Sequence, residues 1–213
     1  MDALQLWRSS TLAERTVTAL ENHGFTARYM QDGSSALAYI LKRIPDHATV
    51  GIGGSKTEKT LGIAKALAAK GCMVHDHNEP GLSAEEVVAA RYKQLTADFF
   101  VCGTNAVTLT GELMNRDAFG NRVAAMMFGP KTVFVIAGTN KIVKNIEDAE
   151  QRIRSIAAPM NNKKYELPNP CVKLGECIDC NSKTRSCNIT TIISRRPPLT
   201  DIHVLLVSEH LGF

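Results

Sequence analysis

No stretch of the 213 residues stays apolar for the roughly 20 positions that a bilayer-spanning helix needs. The N-terminus, MDALQLWRSSTLAERT, has no basic segment leading into an apolar one. A secretory signal is therefore not expected, and the cytoplasm is the expected compartment. Aromatic residues are few, at 6% with a single Trp, and the net charge is only +4, with the basic residues scattered. A nucleic-acid surface would need a basic stripe or stacking aromatics, so that class of partner is excluded. A small anion is served by a modest positive excess. Two nucleotide signatures are also missing: the GK[ST] ending of a phosphate loop and the G-x-G-x-x-G dinucleotide fingerprint. There is no internal repeat and no low-complexity segment.

What is present is an ordinary apolar fraction, 44%, and a chain long enough to bury a full core. Apolar positions at helical spacing predict helices over 3–23, 34–44, 57–70, 83–97, 120–128 and 146–156, the last ended before Pro159. Ser83 followed by Glu86 is a capping box. Short apolar runs predict strands at FTARYM, ATVGIGG, CMVHDH, DFFVCGTN and KTVFVIAG, with a last one in DIHVLLVSEHLGF. TLTGELMN alternates only weakly. Strands alternating with helices imply an α/β fold with a mostly parallel sheet flanked by helices. The expected organisation is one domain over 1–213. Within it, residues 161–198, rich in Asn, Pro, Cys, Lys and Ser, read as an irregular insertion before a final strand region at 199–213.

Two stretches carry chemistry. VGIGGSKTEKTLG follows a predicted strand and opens a predicted helix. Gly53 and Gly54 would let the backbone approach a ligand, and Ser55 and Thr57 add hydroxyls, a setting for phosphate or carboxylate. A plain strand-to-helix turn needs the same glycines. Further on, Asn105, Glu112, Asp117, Asn121 and Arg122 are spread along strand ends and turns, where open parallel sheets bind ligands. Glu112 and Asp117 are candidate acid, base or nucleophile; Arg122, Lys131 and Lys141 are candidate anion clamps. The same residues also suit a solvated hairpin. His75 and His77 flank Asp76 on one strand face; with no third ligand in view they are read as structural. Cys72 and Cys102 fall in buried strands and receive no role.

The other four of the six cysteines, Cys171, Cys177, Cys180 and Cys187, are spaced C-x5-C-x2-C-x6-C. Four thiolates suit an iron–sulfur cluster or zinc, and the tight Cys177-x-x-Cys180 pair is the chelating half. The spacing is neither that of a bacterial ferredoxin nor that of a zinc ribbon. Disulfides or free thiols are the third option, disfavoured in the expected compartment.

The run NAVTLTGELMNRDAFGNRVAAMMFGPKTVFVIAGTNKIV, with GIGGSKTEKTLG before it and CVKLGECIDCNSKTRSCN and HVLLVSEHLG after it, resembles the LUD domain, the lactate-utilization family. One departure is Ala118, where many relatives have glycine after the aspartate. The resemblance implies a fold similar to ribose-5-phosphate isomerase, glucosamine-6-phosphate deaminase and the CoA transferases. In such folds a Gly/Ser/Thr loop binds the anionic part of a substrate, a role that Gly53, Gly54, Ser55 and Thr57 match, and later acidic and basic residues act on it, as Glu112, Asp117, Arg122 and Lys141 could here. It further implies a subunit of an L-lactate or related 2-hydroxy-acid oxidation system with iron–sulfur and flavin partner subunits, in which a [4Fe–4S] cluster on the four cysteines would relay electrons. The rival functions are a free-standing isomerase or CoA-transferase-like enzyme with structural zinc, and a non-catalytic metabolite sensor. A homodimer is the default for this size and class.

Overall fold

A computed structural model describes residues 2–213. The chain opens with α1 (Ala3–Asn22), started by a capping box: the Asp2 side chain accepts from the Gln5 amide and the Gln5 side chain accepts from the Asp2 amide. Then come β1 (Thr26–Met30), α2 (Gly33–Arg43) and β2 (Thr49–Ile52). The single helix predicted over 57–70 is two, α3 (Lys56–Thr60) and α4 (Ile63–Ala69), because Gly62 between them is left-handed at φ 64°. Next are β3 (Met73–Asp76), α5 (Ala84–Thr96), which starts at the Ser83–Glu86 box, and β4 (Phe99–Gly103). The weakly alternating stretch resolves into a hairpin of β5 (Ala106–Thr108) and β6 (Leu113–Asp117). After α6 (Asn121–Met127) and β7 (Thr132–Gly138), one 3₁₀ turn leads to the short β8 (Ile142–Val143).

Pro159 does not end the helix that starts at Ile146. The chain runs through α7 (Ile146–Arg152), a π-helical turn at Ile153–Ala157 and α8 (Ala158–Lys164). The wider π turn lets proline, which has no amide hydrogen to give, enter at the start of the next segment. The stretch expected to be irregular carries α9 (Pro170–Leu174) and β9 (Ile189–Ile193), and β10 (Asp201–Val207) follows it.

Six strands form an all-parallel sheet in the order β1-β10-β7-β4-β2-β3. Its middle strands are apolar at nearly every position, the composition of strands covered on both faces. Alternation sends Val133, Val135, Val204 and Leu206 to one face, against α1, α6 and the β5–β6 hairpin. Phe134, Ile136, Leu205 and Val207 go to the other, against α2 and α4. A second sheet, β8-β5-β6-β9, lies beside the first, and α7 packs on it through Ala149, with Ile153 next along the chain, against Ala106 and Met114. The second sheet meets α1 at Gly111, whose carbonyl lies 3.0 Å from Nδ1 of His23.

Gly111 sits at φ +91°, and a Cβ there would come within 2.7 Å of the Ala19 backbone. Gly62 is also left-handed, yet a Cβ there would meet nothing within 4 Å. Gly62→Ala is therefore expected to cost about 1–2 kcal/mol, the left-handed penalty alone. Gly111→Ala should cost clearly more, because backbone must move as well. Urea unfolding of both variants checks this; equal losses would mean that the α1 contact is slack.

Candidate functional site

In a parallel sheet every strand ends on the same edge, and the loops leaving that edge here surround one cavity of about 720 Å³. β2 contributes Gly53, Gly54, Ser55 and Thr57; β3 contributes His77 and Asn78. β4 supplies Thr104 and Asn105, and the turn after β7 supplies Lys141. Arg116 and Asp117 come from β6, with Asn121 and Arg122 from α6, and residues 183–188, including Cys187, form a further wall.

The glycine loop does not offer its amides as the sequence suggests. Gly53 N–H donates to the Val101 carbonyl at 2.9 Å. The amides of Gly54 and Ser55 donate to Oε2 of Glu58, at 2.9 and 3.1 Å. Ser55 Oγ in turn accepts from the Glu58 amide, so Ser55 and Glu58 cap α3 reciprocally. An internal carboxylate thus occupies the place where an anion was expected. Glu58 is buried, and its Oε1 has no partner among the described residues. Burial above all, with the charge of Asp76 adding to it, lifts its pKa from 4.5 to about 7. Glycine is required at position 53 because a Cβ would lie 2.8 Å from that of Cys102.

Lys141 is 3% exposed. Its Nζ donates to the Thr104 carbonyl at 3.0 Å and lies 3.4 Å from Oγ1 of Thr57. Among the described residues no carboxylate is within ion-pair distance of it. Burial, then the charges of Arg152 and Arg122, bring its pKa down from 10.5 to about 7. Arg152 is itself buried, and its guanidinium donates to the carbonyls of Asn140 (3.1 Å) and Asn105 (2.6 Å).

Arg122 and Asp117 make a tied pair. Nε donates to Oδ1 at 2.9 Å and Nη2 bonds the same oxygen; Oδ2 accepts from the Val123 amide at 3.2 Å. The remaining donors of Arg122 go to the Gly103 carbonyl, Oδ1 of Asn105 and the Arg116 carbonyl. The pair therefore pins the ends of β4 and β6 to α6. Asn121 bonds Gln94 at 3.3 Å. Glu112 is elsewhere: its carboxylate accepts from Thr108 and Thr110 within the hairpin turn and does not line the cavity. Those bonds outweigh burial and hold it below the usual glutamate range.

Two cavity residues were given no such role from sequence. His77 lines it, with Nδ1 2.9 Å from the Gln94 amide nitrogen, and burial keeps its imidazole below the ordinary histidine range. Arg91 lines it too, stacked 4.0 Å from the Phe119 ring and with an Nε that has no partner among the described residues. Neither carries a motif; only the return of α5 beneath the β3 loop brings them in.

Cys171 is buried, and Cys177, Cys180 and Cys187 are half-buried. Among the described residues no three His, Cys, Asp or Glu side chains converge as a metal site. The four thiols nonetheless share one neighbourhood: burial first, then the charges of the other three, push Cys171 up. Arg185 donates to the carbonyls of Cys180 and Cys187, and the Asp179 amide lies 3.3 Å from Sγ of Cys177. By donor type, four thiols, one amide beside sulfur and nearby arginines suit an anionic iron–sulfur cluster, and the donor set suits zinc as well, but the thiols would have to draw together to hold either.

Parallel sheet, two-faced core and a cation-lined cavity at the strand ends define an α/β protein with one candidate site. The chain belongs to the LUD domain family, the family associated with lactate utilization, whose model matches residues 13–207. Among solved structures it is similar to a DUF162 family protein from Deinococcus radiodurans, with a TM-score of 0.54 and 14% identity over 93% of this chain and 98% of that one. No curated protein matches. Among the described residues no helix is long and apolar enough to cross a membrane.

Glu58 gives the site a pH signature. Its folded pKa of about 7 lies above the ordinary 4.5, so the folded chain holds that proton more tightly than the unfolded chain. That contribution is whole below the ordinary value and is lost as the pH rises through about 7. Lys141, depressed from 10.5, instead removes stability as the pH falls toward about 7. Relative to Glu58→Gln, the wild type should lose on the order of 3 kcal/mol between about pH 5 and pH 8. Urea unfolding across that range measures it, and parallel profiles for the two proteins would overturn it.

Proposed function

We propose that the chain is the anion-binding, cluster-carrying subunit of a cytoplasmic system that oxidises L-lactate or a related 2-hydroxy acid, working with iron–sulfur and flavin subunits. Lys141 carries this reading: a buried amine on the cavity wall, with two partners for three positions and, among the described residues, no carboxylate within ion-pair distance. A carboxylate or phosphate ligand supplies what it lacks. Arg91, whose buried Nε has no partner among the described residues, adds a second cation to the same cavity.

Asp117 and Arg122 take a positioning role. Both carboxylate oxygens of Asp117 are engaged, so it holds the loop and presents no free nucleophile. An acyl-transferase or isomerase reading needs a free carboxylate in the cavity, and Glu112 is turned away into its hairpin. The oxidation reading is favoured for that reason. Gly53, Gly54, Ser55 and Thr57 shape the floor; Asn105 and Asn121 fix the neighbouring side chains.

Cys171, Cys177, Cys180 and Cys187 would hold a [4Fe–4S] cluster, which when bound supplies one-electron transfer. Support comes from the all-thiol donor set and from Cys187 standing on the cavity wall. Protein purified without oxygen is expected to contain about four irons with matching sulfide per chain, and Cys180→Ala should lose most of both. Elemental and sulfide analysis decides. One zinc with no sulfide would make the cysteines a structural clip and remove the electron-transfer part of the proposal.

A further inference from the structure

We infer that Lys141 acts covalently, its Nζ forming an imine with the carbonyl of a 2-oxo acid held in the cavity. The inference rests on the reading above that the cavity takes a small carboxylate and goes beyond it by naming the ligand class and the reacting atom. Three features of geometry carry it. First, Nζ is fixed by the Thr104 carbonyl and the Thr57 hydroxyl, which leaves one of its three positions unassigned while the residue lines the cavity. Second, two guanidinium groups converge on Asn105, next to the Thr104 carbonyl that holds Nζ: Arg152 donates to the Asn105 carbonyl at 2.6 Å and Arg122 to Asn105 Oδ1 at 3.0 Å, cations of the kind that activate the lysines of imine-forming enzymes. Third, Arg91 lines the same cavity with its guanidinium over the Phe119 ring, and its buried Nε has no partner among the described residues, leaving it a cation for the carboxylate of a 2-oxo acid.

The groups acting on Lys141 are Arg152 and Arg122, which oppose its charge, and Glu58 and Cys102, which favour it. With its value near 7, roughly half of Lys141 is the free amine at neutral pH, against on the order of one part in a thousand for an ordinary lysine. The step balances without a redox partner. The Nζ lone pair attacks C2 of the 2-oxo acid, the carbonyl electron pair moves to oxygen, and a proton follows to give the carbinolamine. Loss of water then leaves the C=N bond. The Thr57 hydroxyl, 3.4 Å from Nζ, is placed to pass that proton. A 2-hydroxy acid has no ketone carbonyl at C2 and cannot react in this way. The covalent state therefore belongs to the oxidised member of the pair.

The test is reductive trapping. Wild-type protein is incubated with pyruvate at neutral pH, reduced with borohydride, digested and mapped by mass. Pyruvate binding without reductant is followed separately by thermal shift. The expected result is a 1-carboxyethyl group on the Lys141 peptide, favoured by at least roughly tenfold over any other lysine. It should be absent from Lys141→Arg, which keeps the charge and has no amine. Pyruvate that raises the melting temperature yet is trapped nowhere, or on other lysines equally, overturns the covalent role and leaves the anion-binding proposal standing. Neither a shift nor a trapped product with pyruvate, glyoxylate or 2-oxobutyrate overturns both. Because the mapping is done on wild-type protein, a misfolded variant does not obscure the outcome.

Discussion

A strand buried on both faces has no solvent side on which to place a polar group, and the neighbours β7 and β10 take that condition furthest. From Val133 to Ala137 and from Ile202 to Val207 nearly every side chain is apolar and fully enclosed; His203 is the exception, bonded to both Tyr39 and Asp201. This pairing forces the rest. Both faces must be covered, so α1, α6 and the hairpin close one side while α2 and α4 close the other. Because the strands are parallel, polarity excluded from their length collects at their ends. The carboxyl ends of β2, β3, β4 and β7 bring Ser55, His77, Thr104 and Lys141 to one cavity for that reason.

At that edge the chain carries more buried cation than buried anion. Arg122 is matched by Asp117, whereas Arg152 relies on carbonyls and Lys141 on a carbonyl and a hydroxyl. Glu58, the one carboxylate beneath the glycine loop, spends its bonds on the loop amides and holds its proton to about pH 7. A polyamide loop, a protonated carboxylate and a half-neutral lysine therefore stand where a simple anion hole would have free amides and full charges. On the proposed reading, such an arrangement would discriminate by chemistry as well as by charge, since a neutral amine adds to carbonyl carbon.

The parallel sheet was legible because its signal is local: runs such as KTVFVIAG and capping pairs such as Ser83–Glu86 announce themselves within a few residues. The second sheet was not. β5, β8 and β9 are two to five residues long and gain their identity only by pairing across the chain, Thr190 with Arg116 and Val107 with Ile142. The helix break at Gly62 and the passage through Pro159 were missed for a different reason, since each turns on the local backbone, the left-handed φ of Gly62 and the π turn before Pro159, which apolar spacing does not record. At the site, residue types were informative and partners were not. Ser55 and Glu58 in GIGGSKTEKT have the same capping spacing as Ser83 and Glu86, the one sequence signal that Glu58 folds back onto the loop amides, whereas nothing in TLTGEL says that Glu112 stays inside its own turn.

The cysteine-bearing stretch joins this edge through backbone. The Asn188 amide donates to the Asp117 carbonyl, and β9 then runs antiparallel along β6, pairing Ile189 with Asp117 itself. Arg116, one residue earlier on β6, reaches across to Glu150 on α7 with two 2.9 Å bonds. Cys187 therefore cannot shift without moving Asn188, and Asn188 cannot shift without disturbing the Asp117–Arg122 strut. Through that strut the cysteines are tied to Gly103 and Asn105, the carboxyl end of the buried sheet. A ligand seated against that edge and a metal drawn between the thiols would thus act on one continuous set of hydrogen bonds. If both are occupied, two sites sharing that wall would be coupled by whatever free energy the wall's displacement costs, equally in both directions.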